Sequence, residues 1–173
     1  LGTGWTSLPL LKENLITVRH QVTMTTGLDD GVADSDCTDP ACLTYKADAG
    51  TRWAYHNAPY TILDQVIAAA TGQTFNNYFA AKIRNVIGMT GQWVPNGYNH
   101  VYYSNARSMA RYGLLLLNKG SWSNTAVLGD SAYFAQQISS SQNLNPSYGY
   151  LTWLNGKASY MLPSLQTVFQ GPL

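Results

Sequence analysis

Charge is scarce in this sequence. Charged residues make up 11% of the chain, against the ~25% usual for globular proteins. The ten basic residues are scattered and the net charge is +1. Without a stripe of Lys and Arg, nucleic acid is not an expected partner. Long apolar runs are lacking too: none reaches the ~18 residues that a membrane span needs. No basic stretch followed by an apolar one opens the chain, so no signal peptide is read there. No internal repeat is present. Apolar residues nonetheless make up 45%, which argues against disorder. The polar surface is therefore built from Asn, Ser, Thr, Gln and Tyr, a style common outside the cytoplasm.

Cysteine is nearly absent as well. The two present, Cys37 and Cys42, lie in "DSDCTDPACLTY". The flanking Asp, Thr and Pro make a buried pair of thiols a poor fit. A disulfide closing a short loop is expected over two free thiols, and it suits an oxidising, extracytoplasmic compartment.

What is there reads mainly as short helices. Thr17 and Gly27 bracket a helix over about 18–25. A long loop, Leu28 to Arg52, follows, and loops of this length are often functional. Five of the nine acidic residues (Asp29, Asp30, Asp34, Asp36 and Asp39) fall within eleven positions of it. They offer hard oxygen ligands, but without the calcium-loop spacing that ends in Glu, so a solvated acidic loop is favoured.

A helix is expected from Ala58 to Thr71, with Asn57 as its cap and Ile62, Leu63, Val66, Ile67 and Ala70 on one apolar face. Thr74 caps a third, with Phe75, Phe79, Ile83, Val86 and Ile87 inward. Residues 91–103 read as loop with short extended pieces. Ser104 caps a fourth helix that Gly120 ends. A last one covers about 130–138. "SYGYLTWL" alternates like a strand. The expected fold class is thus mainly α, with four to five short helices and little strand. The expected organisation is a single (sub)domain over residues 1–173 with an irregular tail over 155–173. His56 and His100 have neither metal nor triad spacing and are read as surface residues. His20 is read as a hydrogen-bonded structural histidine. No metal or cofactor is implied.

Four segments carry a resemblance. "ITVRHQVTMTTGLDDG", "YHNAPYTILDQVIAAATGQTFNNYFAAKIRNVIGMTGQW", "SNARSMARYGLLLLNKGSW" and "YGYLTWL" resemble, in order, parts of the serine β-lactamase and penicillin-binding-protein-like family of the class C type. The resemblance implies the helical subdomain of the β-lactamase/transpeptidase-like fold. Tyr55 and Asn57 match the family's Tyr-x-Asn motif, with His56 where a small residue is usual. Tyr55 would then serve in proton transfer and Asn57 in orienting an amide or ester substrate. The family's Ser-x-x-Lys nucleophile motif and its Lys-Thr-Gly or His-x-Gly strand motif occur nowhere in the 173 residues. The resemblance therefore implies the central portion of the fold, not catalytic alone. Its expected partner is the missing α/β portion or a self-associating copy. A different class of function stays open: a non-catalytic ligand-binding or adhesion module using exposed Tyr and Trp. The end of the tail, "TVFQGPL", resembles a viral protease recognition sequence used to remove tags. It is open to reading as tag-derived and receives no functional weight.

Overall fold

Two stretches of chain, residues 1–63 and 136–173, pack into one unit, and residues 64–135 form a second. The computed structural model describes all residues, 1–173.

The first unit contains α1 (Leu10–Glu13), α2 (Val18–Val22) and α3 (Asn57–Thr61), plus the short hairpin β5 (Ser159–Tyr160) and β6 (Phe169–Gln170). Thr17 caps α2 through a reciprocal pair of bonds with His20: its hydroxyl accepts from the His20 amide, and the His20 ring accepts from the Thr17 amide. This is the structural histidine expected there. Glu13 is buried. Its carboxylate accepts from the Gly4 and Thr6 amides at 2.7 and 2.8 Å and from the Thr6 hydroxyl at 2.7 Å.

Two hydrophobic clusters fill this unit. One joins Leu28, Leu43, Ala58 and Ile62. The other joins Met24, Trp53, Tyr148 and Met161, with Tyr55 and Trp153 packed against it. Gly27 allows the chain to turn between them. Its φ is +78°, and a Cβ there would sit 2.2 Å from the Ala47 carbonyl oxygen. The tail is tied into the unit: Tyr160 stacks on Phe169, and the Gln166 amide donates to the Trp53 carbonyl at 3.2 Å.

The helix expected over 58–71 is two helices. Ile62 separates α3 from α4 (Leu63–Thr71). A continuous helix would give the Pro59 carbonyl to the Leu63 amide. Here that carbonyl accepts from the buried Gln21 side chain at 2.9 Å. Asn57 does not cap α3. His56 holds the extended N-cap conformation, without a side-chain bond to the helix, and Asn57 is already helical.

The second unit holds α4 from Asp64 onward, α5 (Phe75–Phe79), a wider π turn (Ala80–Arg84), and α6 (Ala106–Leu117). It also holds the hairpins β1–β2 (Gly91–Asn96, Asn99–Ser104) and β3–β4 (Ser121–Trp122, Thr125–Ala126). Thr74 caps α5, as expected. Asn105, not Ser104, caps α6, because Ser104 still pairs with Gly91 at the end of β2. The core is Ile87, Met89 and Leu115, with Tyr102, Tyr112 and Trp122 against it. Val86, expected inside, is exposed. Helix α7 (Ser131–Gln137) begins after Asp130, whose carboxylate accepts from the Tyr133 amide.

The expectation of a mainly α fold is overturned. Helical residues make up 30% and extended ones 14%, in three small sheets. All three are two-stranded and antiparallel. The reason is clearest at β1–β2. Its strands are β-prone (Trp93, Val94, Val101, Tyr102, Tyr103) and meet across a two-residue Gly97-Tyr98 loop, with Gly97 at φ +62°. The expected strand "SYGYLTWL" forms only a single bridge, Tyr148 to Trp153, with Leu151 at φ +46° turning the chain between them.

Candidate functional site

Residues 52–56, "RWAYH", lead without regular structure into α3, which begins at Asn57. The Ala54 amide donates to the Met24 carbonyl at 2.9 Å, which fixes the run against the segment after α2. Alternation then decides what each side chain meets. Trp53 is almost fully buried, Tyr55 is half-buried, and His56 is 3% exposed.

Tyr55 stands in an aromatic cluster. Its ring stacks on Trp153 with centroids 5.8 Å apart and planes at 17°. It meets Tyr148 edge-on at 6.2 Å. Trp53 meets Tyr148 at 5.6 Å and Trp153 at 5.8 Å. Burial, with Tyr55 and Tyr60 adding to it, pushes the Tyr148 phenol far above its ordinary range. Tyr148 is therefore a neutral phenol, a wall rather than a base.

His56 is not the surface residue expected from sequence. Neither of its buried ring nitrogens has a partner in the chain. Burial lowers its pKa first, and the nearby Arg52 guanidinium adds to that; Asp30, Asp29 and Asp36 pull the other way without reversing it. The ring is thus held neutral. His100 is half-buried rather than exposed, with Nδ1 3.5 Å from Asp64 Oδ2. That pair lines a cleft of about 340 Å³ in the second unit, beside Phe75, Trp93 and Asn99. The Thr74 hydroxyl there is engaged as the α5 cap.

Asn57 donates from Nδ2 to Asp36 Oδ1 at 2.9 Å, while its Oδ1 is buried without a partner. Next to this contact, Arg52 pairs with Asp30 at 2.6 Å. The acidic loop therefore meets this part of the chain through Asp30 and Asp36, while Asp34 and Asp39 stay exposed, as expected of a solvated loop. Asp29 accepts from the Gly31 amide and Lys46, and Asp34 from the Asp36 amide. No three His, Cys, Asp or Glu residues converge closely enough to hold a metal ion. Cys37 and Cys42 are joined as a disulfide, immediately after Asp36.

Tyr55, His56 and Asn57 were visible in the sequence. Asp36, Tyr148 and Trp153 were not recognised as their neighbours. No local pattern links them, since the contacts bridge 21 residues for Asp36 and about a hundred for the aromatics. None of the five tryptophans is fully exposed: Trp53 is buried, and Trp5, Trp93, Trp122 and Trp153 are half-buried. Tyr45, Tyr98, Tyr103 and Tyr133 are exposed.

The profile of the Beta-lactamase family matches residues 11–162. No curated protein matches the chain. A solved structure of a candidate β-lactamase from Bacteroides dorei DSM 17855 is similar in fold, with a TM-score of 0.67 at 17% identity. The match covers 80% of this chain and 52% of that one, so the chain spans about half the length of that protein. No helix is long and apolar enough to cross a membrane. With the profile running through α2, the Tyr55-His56-Asn57 turn, α6 and the Tyr148–Trp153 bridge, this chain belongs to the Beta-lactamase family.

Proposed function

We propose that the chain carries one wall of an acyl-transfer site of the class C, Tyr-x-Asn type. Tyr55 takes and returns the proton of a serine nucleophile, and Asn57 orients the substrate amide or ester. One observation carries this reading. The Tyr55-His56-Asn57 turn lies inside the matched region and presents Asn57 Oδ1 as a buried acceptor without a partner.

The chemistry sets what else is required. A serine hydroxyl is a weak nucleophile without a base. A free phenol has a pKa of about 10, so Tyr55 needs nearby cations to act as one. In the family, lysines supply them, one from Ser-x-x-Lys and one from the strand motif. Neither motif occurs in these residues. The proposal therefore assigns both to the α/β portion of the same fold and assigns no acyl transfer to this chain alone. The substrate class is an amide or ester of the kinds the family handles: β-lactams, peptides of D-amino acids, or simple esters. An extracytoplasmic setting is supported by the Cys37–Cys42 disulfide.

The test is a protein in which this segment is joined to a Ser-x-x-Lys nucleophile. Tyr55→Phe is expected to lower kcat by about 10²–10⁴-fold, the range for losing an acid–base group, with the melting temperature unchanged. An unchanged kcat would remove Tyr55 from the mechanism.

A further inference from the structure

The Asn57 amide has two ends, and only one is engaged. An ionised carboxylate accepts and cannot donate, so the 2.9 Å contact with Asp36 Oδ1 must be made by Nδ2. This settles which way the amide is flipped, a question its own shape leaves open. The other end, Oδ1, is then directed away from Asp36, and it is buried with no donor in the chain. Leaving a buried acceptor unpaired costs about 1–3 kcal/mol. A folded protein keeps few such groups, and those it keeps call for an explanation.

Asp36 is itself held. Its amide donates to Asp34 Oδ1 at 3.0 Å. The next residue, Cys37, is buried, donates its amide to the Asp34 carbonyl at 3.2 Å, and is bonded to Cys42 five positions on. The Cys42 amide closes the loop further, on the Asp39 carbonyl at 2.9 Å. Asp36 thus projects from a small cross-linked loop.

We infer that Asp36 is a positioning residue for Asn57. It turns the amide so that the carbonyl oxygen is offered, buried and unpaired, to an N–H donor, either an amide or an ammonium. The disulfide loop keeps Asp36 in the place from which it can do so. The offered donor rests on the proposed acyl-transfer reading; the orientation of the amide is a property of this chain by itself.

The test reads the Asn57 side-chain amide of the isotopically labelled chain by NMR, its signals identified by their loss in Asn57→Ala. In the unaltered chain, one Asn57 amide proton is expected to exchange with solvent about tenfold or more slowly than those of the exposed Asn76 and Asn118, as a bond to a charged acceptor implies. Asp36→Ala should abolish the slowing and shift the signals. Asp36→Glu, which keeps a carboxylate, should recover part of it. The Cys37→Ser/Cys42→Ser double variant should also speed the exchange. A loop residue with only a structural role would change stability and leave the Asn57 side chain unmoved. Exchange in the unaltered chain as fast as at Asn76 and Asn118 would overturn the inference without any variant, and so would Asn57 signals unmoved by Asp36→Ala. Failure of the acyl-transfer reading would leave these signals as they are and would appear only in kinetics.

Discussion

His56 stands between an aromatic core and an acidic loop, and its neutrality is a cost the fold imposes on acid conditions. Burial holds its folded pKa below the ordinary 6.5, and His20 shifts the same way for the same first cause. Below about pH 6.5 the unfolded chain therefore binds protons that the folded chain does not. The stability gained from a neutral ring is complete above that pH and is lost as the pH falls toward the folded pKa. Asp64 runs the opposite way, since burial raises its pKa against the pull of His100. The melting temperature is expected to fall between pH 7 and pH 5, and His56→Gln should make that slope shallower. Equal slopes in the two proteins would remove His56 from this account. The residue types of the Tyr55-His56-Asn57 turn were legible in the sequence. The burial of His56 was not, because it depends on the loop before it folding back, and no periodicity records that.

Among the elements, helix starts were legible to within a residue and hairpins were not: the caps expected at Asn57 and Ser104 fall at His56 and Asn105. Thr17 and Thr74 each do what their positions before helical spacing imply. The break at Ile62 was hidden because it is made by Gln21, from another helix. The hairpin over Gly91–Ser104 was masked by Pro95 within its first strand and by a Gly-Tyr loop in place of a stronger turn pair. One end of it leaves no room for a side chain. Gly91 has φ +129°, and a Cβ there would lie 2.3 Å from the Tyr103 carbonyl oxygen. Gly91→Ala should therefore destabilise the protein by roughly 1–3 kcal/mol, the scale of backbone strain. Gly113, inside α6, has a negative φ and open space around it. Gly113→Ala should stabilise by about 0.4–1 kcal/mol. Denaturant titration of both variants checks the pair, and similar signs would contradict the local geometry described.

For the whole molecule, the family was readable from segment order, while the architecture was not. The profile match over residues 11–162 contains all four segments. The mainly α expectation failed because short strands carry little signal of their own, and two of the three hairpins have two-residue strands. The proposed Tyr-x-Asn wall has no Ser-x-x-Lys nucleophile beside it in these residues. The deciding measurement is an assay of the purified chain with a chromogenic β-lactam and a p-nitrophenyl ester. No turnover above buffer is expected with either substrate. Turnover that persists through purification and disappears in Tyr55→Phe would contradict it.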